Sequence, residues 1–124
     1  MQSFELSFAI PQLPTGDVEK TAAFFERFLG FEAVAKLNQG TFLIVRRGPA
    51  EIHFWKAESE QAARDIGRES SCYIRVKNIP ALFAELRERG AKFRYELKVM
   101  PWGMNEFQID DPYANAIKFG EPLS

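Results

Sequence analysis

The residues best suited to nucleophilic or acid–base chemistry are scarce in this sequence. His53 is the only histidine and Cys72 the only cysteine of the 124 residues. A thiolate beside an imidazole base would be a nucleophilic pair, but both residues lie in strand-like stretches, where a thiol is normally buried and unreactive. The sequence contains neither the G-x-S-x-G motif of serine hydrolases nor a phosphate-binding glycine loop. We therefore predict no catalytic residues.

Aromatic side chains are the more abundant chemical resource. Twelve Phe, three Tyr and two Trp make up 14% of the chain, which is more ring surface than a core of this size needs. Aromatic faces stack on flat apolar ligands and attract cations. Three carboxylates around the predicted seventh strand, Glu106, Asp110 and Asp111, could meet a cationic ligand, although Asp111 before Pro112 favours a turn cap. The composition thus favours binding of a flat, apolar molecule.

Length and charge limit the class of protein. The residues 1–124 correspond to one domain of common size, and 46% hydrophobic and 27% charged residues are typical of a globular protein. A net charge of −1 gives no electrostatic attraction for nucleic acid or an anionic membrane. The first residues lack the features of a signal peptide, and no apolar run is long enough to span a membrane. We expect a cytoplasmic protein.

The first half of the chain has the pattern of one strand, one helix and three more strands. Alternating apolar residues predict the first strand over 4–10. Asp17 is an N-cap candidate for the helix that follows, and Gly30 is its predicted end. Three further strands are predicted from apolar alternation, over 32–37, 41–46 and 50–55.

The second half repeats this order. A predicted strand over 72–76 leads to Asn78, an N-cap candidate, and to Gly90, a helix end; the two follow Asp17 and Gly30 by about 60 residues. Three more strands are predicted over 93–99, 104–110 and 115–119.

An internal repeat of this kind predicts an α+β fold made of two β-α-β-β-β modules. The modules cover about 3–56 and 71–121, and the charged segment 57–70 is a predicted polar linker. One four-stranded sheet with a single helix cannot bury both of its faces. Two curled sheets that face each other would therefore leave a cleft for a ligand.

Short motifs in a fixed order support a family resemblance. They are Pro11-x-Leu13-Pro14-x-x-Asp17, Leu29-Gly30-Phe31, Arg47-Gly48, Pro101-Trp102-Gly103 and Asp111-Pro112. With these motifs the chain resembles, over nearly its whole length, the glyoxalase/bleomycin-resistance/dioxygenase group, also called the vicinal oxygen chelate superfamily. Within that group it is most similar to the bleomycin-resistance proteins. The resemblance implies a curled mixed sheet and homodimers that exchange the N-terminal strand, with Pro11 and Pro14 as a stiff hinge.

The resemblance also allows a test for metal chemistry. Metal-dependent members of the superfamily carry ligands on the first and last strands of each module, positions that fall near Ile10, His53, Ser71 and Lys118. Only His53 is a good ligand, and a single imidazole does not hold a transition metal well. We therefore expect a protein without a metal or other cofactor, and a metal-dependent lyase or dioxygenase is the less favoured alternative.

For a metal-free member, the resemblance implies a binding protein that sequesters bleomycin-type glycopeptide antibiotics and so confers resistance. Phe42 and Trp102 are the expected stacking pair for the flat tail of the drug. The full set of predicted ligand-binding residues is Phe31, Phe42, His53, Trp55, Tyr73, Trp102, Gly103 and Glu106. Basic residues beside the sheets, such as Arg75 and Lys118, would suit a neutral or anionic planar aromatic ligand instead, which is the main alternative.

Overall fold

The computed structural model describes residues 2–123, which form two β-sheets and three α-helices. The elements follow in the order β1–α1–β2–β3–β4–α2–β5–α3–β6–β7–β8. The strands are β1 Gln12–Thr15, β2 Glu32–Leu37, β3 Phe42–Arg47, β4 Ala50–Lys56, β5 Ser71–Arg75, β6 Tyr95–Val99, β7 Met104–Asp110 and β8 Ala116–Pro122. The helices are α1 Val18–Phe24, which continues as a π-helical turn Phe25–Leu29, α2 Glu60–Gly67 and α3 Ile79–Glu88.

The two sheets have the same topology. Their strand orders are β1-β4-β3-β2 and β5-β8-β7-β6. In each sheet the first pair is parallel and the other two pairs are antiparallel. Each half therefore repeats one β-α-β-β-β unit, and the predicted α+β fold is confirmed.

One hydrophobic core contains residues of both sheets. Strand periodicity places one face of each sheet inward. The inward residues are Leu43, Val45, Ile52 and Phe54 in the first sheet and Phe107, Ile109, Ile117 and Phe119 in the second. The helical segments add Phe25, Leu29, Ile79 and Leu86, all at 0% exposure. Packing in the core thus accounts for most of the phenylalanines.

The first helix begins and ends where the sequence predicts. The Asp17 carboxylate accepts a hydrogen bond from the Lys20 amide at 3.1 Å, as an N-cap does. Gly30 ends the helical segment in the left-handed conformation, at φ 70°, which a residue with a Cβ rarely adopts. The chain then reverses directly into β2.

The predicted strand over 4–10 does not form. Residues 2–10 have no regular structure, and β1 begins only at Gln12. Phe4, Leu6 and Phe8 are 87%, 85% and 77% exposed. Apolar alternation supplies a face to bury, but a strand also needs a neighbouring strand edge to satisfy its backbone groups. Within residues 2–123 this segment has no such partner, so it forms no strand despite its apolar alternation.

Asn78 does not act as the predicted N-cap of α3. It has a left-handed backbone, at φ 62°, and its side chain makes no capping hydrogen bond. The Glu121 carboxylate accepts from the amides of Asn78 and Ile79 instead, at 2.8 and 2.9 Å. These two bonds hold the pKa of Glu121 below its usual value, with the Ile79 bond the larger cause. A distant residue in β8 has therefore replaced the local cap.

The predicted linker contains helix α2, which the second module holds in place. Ser59 caps this helix by accepting from the Ala62 amide at 3.0 Å. Gly67 lies so close to the Tyr113 carbonyl that an added Cβ would overlap it, and the Tyr113 hydroxyl donates to Glu60 at 2.6 Å.

The turn between β7 and β8, in the second module, forms a hydrogen bond to the first module. Asp111 accepts from the amides of Tyr113 and Asn115 at 2.9 and 3.0 Å, so the predicted turn cap is confirmed. The Asn115 side chain donates to Asp111 and also to the Pro14 carbonyl of the first module, at 2.8 and 2.9 Å. Burial, only partly offset by these donors, raises the pKa of Asp111 to about 6. This carboxyl serves the fold, because it is buried and bonded within the turn.

Candidate ligand-binding site

The outer side of the first sheet carries an aromatic surface. Since alternate residues of β3 and β4 point inward, Phe42, Ile44, His53 and Trp55 point outward, and we call these four the aromatic face. The cross-strand pairs are Phe42 with Trp55 and Ile44 with His53. The rings of Phe42 and His53 meet edge-on, with centroids 5.3 Å apart. Trp55 is 36% exposed, so the face is available for contact.

His53 is fixed by a charge network. Its Nε2–H donates to the Glu51 carboxylate over 2.6 Å, and Arg46 donates to the other oxygen of Glu51 at 2.9 and 3.1 Å. The hydrogen bond from His53, followed by that from Arg46, holds the pKa of Glu51 below its usual range. Both Glu51 oxygens are thus engaged, and the imidazole is held in one orientation beside Phe42.

The outer side of the second sheet is organised around a buried carboxylate. Glu106 is 2% exposed and accepts three hydrogen bonds: from the Tyr73 hydroxyl at 2.7 Å, the Tyr95 hydroxyl at 3.0 Å and the Trp102 indole N–H at 2.7 Å. Lys118 lies on the same side, opposite Tyr73 in the pairing of β5 with β8. We call these five residues the Glu106 face.

The electrostatics of this face fix its protonation state. Burial acts to raise the pKa of Glu106, but the bonds from Trp102, Tyr73 and Tyr95 outweigh burial, and the pKa lies below its usual value. Burial and the bond to Glu106 raise the pKa of Tyr73 and of Tyr95 to about 12. At neutral pH a charged carboxylate therefore holds two neutral phenols and an indole. Glu106 positions these rings, and its own charge is largely satisfied.

Gly120 makes the contact between Tyr73 and Glu106 possible. Strand β8 lies between β5 and β7, and Gly120 is paired with Glu106. A Cβ added to Gly120 would overlap the Tyr73 hydroxyl. The Tyr73 ring therefore crosses β8 at its one glycine. Sequence reasoning missed both Gly120 and Tyr95, because their roles depend on strand order.

The turn before β7 presents Trp102. Gly103 closes this turn at φ 81°, and its amide donates to the Met100 carbonyl at 3.0 Å. Trp102 is 64% exposed although its indole N–H is bound. The ring therefore projects into solvent while the hydrogen bond to Glu106 fixes its position.

The predicted ligand-binding residues fall into two groups and one exception. Phe42, His53 and Trp55 share the aromatic face, whereas Tyr73, Trp102, Gly103 and Glu106 lie together on the second sheet. The expected stacking pair, Phe42 and Trp102, is thus divided between two sheets of one chain.

Phe31 is the exception and lies on neither face. It is 4% exposed and packs edge-on against Phe25, with ring centroids 5.6 Å apart. The left-handed turn at Gly30 directs the residue after it back beneath the helix. Phe31 also lines the space between the two modules, so its predicted contact with a ligand stays a prediction.

Two further observations concern catalysis and metal binding. Burial, with a smaller contribution from the charge of Asp111, raises the pKa of the Cys72 thiol to about 12, so Cys72 is unsuited to act as a nucleophile. Residues 2–123 contain no group of three or more His, Cys, Asp or Glu placed to share a metal ion. That the protein works without a metal stays a prediction.

In the same part of the chain no helix is long and apolar enough to cross a membrane.

Two repeated modules, each with a helix over a four-stranded mixed sheet, define the class of protein. The chain belongs to the Glyoxalase/Bleomycin resistance protein/Dioxygenase superfamily, whose family model matches residues 7–119.

Within this superfamily, curated relatives include the bleomycin resistance protein of Geobacillus stearothermophilus. It is 29% identical over 129 aligned positions, which cover 93% of this chain and 96% of the relative. Similar solved structures include a bleomycin-binding protein from the bleomycin-producing Streptomyces verticillus in complex with copper(II)-bleomycin, at 26% identity and a TM-score of 0.76, with 94% of this chain and 97% of that chain covered. Another bleomycin-binding protein, complexed with bleomycin, has 22% identity and a TM-score of 0.77, with 94% and 98% covered.

Proposed function

We propose that this protein binds bleomycin-type glycopeptide antibiotics stoichiometrically and sequesters them without chemical change. The observation that carries the proposal is the presence of two outward aromatic surfaces, the aromatic face and the Glu106 face, in a chain whose relatives over nearly its full length are bleomycin resistance proteins. The inert thiol of Cys72 and the engaged carboxylates of Glu51 and Glu106 support binding rather than catalysis.

The shape and polarity of the rings suit the flat tail of such a drug. A planar bithiazole stacks between ring faces, and each ring pair contributes about 0.5–1.5 kcal/mol beyond the burial of area. Trp102 is the first choice for one wall because it is exposed and tethered. Phe42 and Trp55, paired across β3 and β4, form the other wall.

The complete cleft requires a homodimer in this proposal. The two walls belong to different sheets of one chain, so a second copy would bring the aromatic face of one protomer against the Glu106 face of its partner. Residues 4–10, with their exposed apolar alternation, are the segment that the protomers would exchange. Pro11 is the hinge, whereas Pro14, the other predicted hinge residue, lies within β1.

A planar aromatic ligand of neutral or negative charge is the second candidate. It is favoured by the charges of the Glu106 face, where three donors already satisfy Glu106 and Lys118 adds a positive charge beside them. A cationic drug would find little free negative charge there.

A thermal-shift screen separates the two candidates. Bleomycin with and without copper is compared with planar antibiotics and aromatic acids, each at saturating concentration. We expect bleomycin to raise the melting temperature most. Stabilisation by an aromatic acid alone would favour a planar aromatic ligand of neutral or negative charge instead. Elemental analysis of the purified protein accompanies the screen, because a stoichiometric divalent metal would contradict metal-free binding.

A further inference from the structure

A groove separates the two modules on the side of α3. Its volume is about 430 Å³, within the range of roughly 300–1,000 Å³ that is typical of small-molecule pockets. Its apolar lining includes Leu29, Phe31, Ile74, Val76, Leu82 and Phe119. None of the outward residues of the aromatic face or the Glu106 face lines it, so this inter-module groove is separate from the site proposed above.

The rim of the groove carries an excess of positive charge. Arg47, Arg75, Lys77 and Glu85 are its charged residues. The two oxygens of Glu85 accept from Arg47 at 2.7 Å and from Arg89 at 2.9 Å. These bonds, that from Arg47 first, hold the pKa of Glu85 below its usual value. Glu85 is therefore neutralised by arginine on both sides and does not offset the remaining cations.

Arg75 and Lys77 are the cations left free at this rim. Both are exposed, and within residues 2–123 neither forms an ion pair or a side-chain hydrogen bond. The nearby acids are already engaged: Glu121 binds the amides of Asn78 and Ile79, and Glu51 binds His53 and Arg46. An apolar floor thus ends at two unpaired positive charges.

We infer that the inter-module groove binds an amphipathic organic anion. The apolar body of the ligand lies on the floor formed by half-buried residues such as Ile74, Val76 and Leu82. Its carboxylate or sulfonate head meets Arg75 and Lys77. Such a head gains charge-assisted hydrogen bonds from side chains that have no other acceptor. The groove shares no lining residue with the aromatic face or the Glu106 face, so its occupation can be tested without bleomycin.

The test compares octanoate with 1-octanol, which share an alkyl chain and differ in head charge. Binding is followed by amide chemical-shift changes in NMR titrations and by calorimetry. Octanoate is expected to shift groove residues such as Ile74, Val76 and Ala81 and to bind at least tenfold more tightly than octanol. Shifts confined to the aromatic face or the Glu106 face, or equal affinity for the two compounds, would overturn the inference.

Variants distinguish the groove from general charge effects. Arg75→Glu/Lys77→Glu is expected to weaken octanoate at least tenfold and to leave octanol within twofold. The control, Lys92→Glu/Arg68→Glu, makes the same change of net charge at exposed positions outside the groove and should leave both affinities unchanged. Ala81→Trp, an exposed helix position that lines the groove, should block both compounds. Equal weakening by the control pair, or full binding by Ala81→Trp, would contradict the site.

The N-terminal segment, from the same chain or from a second copy, is the competing occupant. Phe8 lines an adjoining pocket together with Pro49 and Arg75. If Phe4→Asp/Leu6→Asp/Phe8→Asp strengthens octanoate binding tenfold or more, that segment fills the groove in solution and the inference is overturned. Unchanged octanoate binding by this variant supports the anion as the occupant.

Discussion

The indole N–H of Trp102 donates to Glu106 over 2.7 Å, so the more exposed of the two tryptophans is anchored by one of the most buried carboxylates. The same carboxylate holds Tyr73 and Tyr95. Three rings on three separate segments therefore share one acceptor. Rings held in this way lose little further freedom when a flat ligand stacks on them, which favours binding.

Glu106→Gln should damage both stability and drug binding. The amide keeps one carbonyl oxygen but loses the charge and brings an NH₂ group among donors. We expect a loss of about 1–3 kcal/mol in the free energy of unfolding, the range for a buried charged acceptor left poorly matched. Bleomycin affinity should fall at least tenfold, because Trp102 is no longer held. Urea unfolding and calorimetry measure the two effects.

The matched control for this change is Glu96→Gln on the neighbouring strand β6. Glu96 is exposed and pairs with Arg87 over 3.6 Å, and exposed ion pairs contribute little. A loss of stability in Glu96→Gln as large as that in Glu106→Gln would refute the special role of the buried carboxylate.

Gly120→Ala should act through Tyr73. The added Cβ overlaps the Tyr73 hydroxyl, and forced overpacking costs about 1–3 kcal/mol. In a Tyr73→Ala background the obstacle is absent, so Gly120→Ala should then cost less than half as much. A double-mutant cycle of unfolding free energies measures the difference. Equal costs in the two backgrounds would show that Tyr73 does not cross β8 at Gly120.

Gly120 and Tyr73 also show what cannot be predicted from the sequence alone. Asp17 and Gly30 were predictable because a helix cap and a helix end act within a few residues of the chain. The function of Gly120 depends on β8 lying between β5 and β7, which no local pattern specifies. Strand alternation does predict which side Tyr73 and Glu106 take, but not that their side chains meet.

The errors have the same physical origin. Asn78 has the side chain of an N-cap, but Glu121 from the last strand binds the free amides of α3. The segment 4–10 has the alternation of a strand, but alternation specifies a face to bury and does not supply a partner edge.

The stability of the protein should depend on the ionisation of Asp111. Its pKa is raised from 3.8 to about 6 in the folded state, so the folded protein binds this proton more tightly than the unfolded chain does. Protonation of Asp111 therefore stabilises the folded state. This stabilisation is complete below pH 3.8 and is lost as the pH rises through about 6. Relative to Asp111→Asn, the wild-type free energy of unfolding should therefore decrease across this range. A ¹³C titration of the Asp111 carboxyl with a midpoint near or below 3.8 would contradict this.

The apolar alternation of residues 4–10 should determine the oligomeric state. Phe4→Asp/Leu6→Asp/Phe8→Asp is expected to convert a dimer into a monomer, because it places charges on the face that the exchanged strand must bury. Light scattering coupled to size exclusion measures the mass. The control, Ser3→Asp/Ser7→Asp/Ala9→Asp, adds the same three charges on the other side of the alternation and should remain dimeric. A wild-type monomer, or a dimer in both variants, would refute strand exchange.

The most direct test of the central proposal is a fluorescence titration of Trp55→Phe with bleomycin. In this variant Trp102 is the only tryptophan, so any change in indole emission reports on the proposed wall of the cleft. We expect quenching that saturates at about one drug per chain. Calorimetry should give an affinity at least tenfold weaker in Trp102→Ala. Emission that stays constant up to saturating drug, or equal affinity in Trp102→Ala, would show that this protein does not bind bleomycin through the Glu106 face.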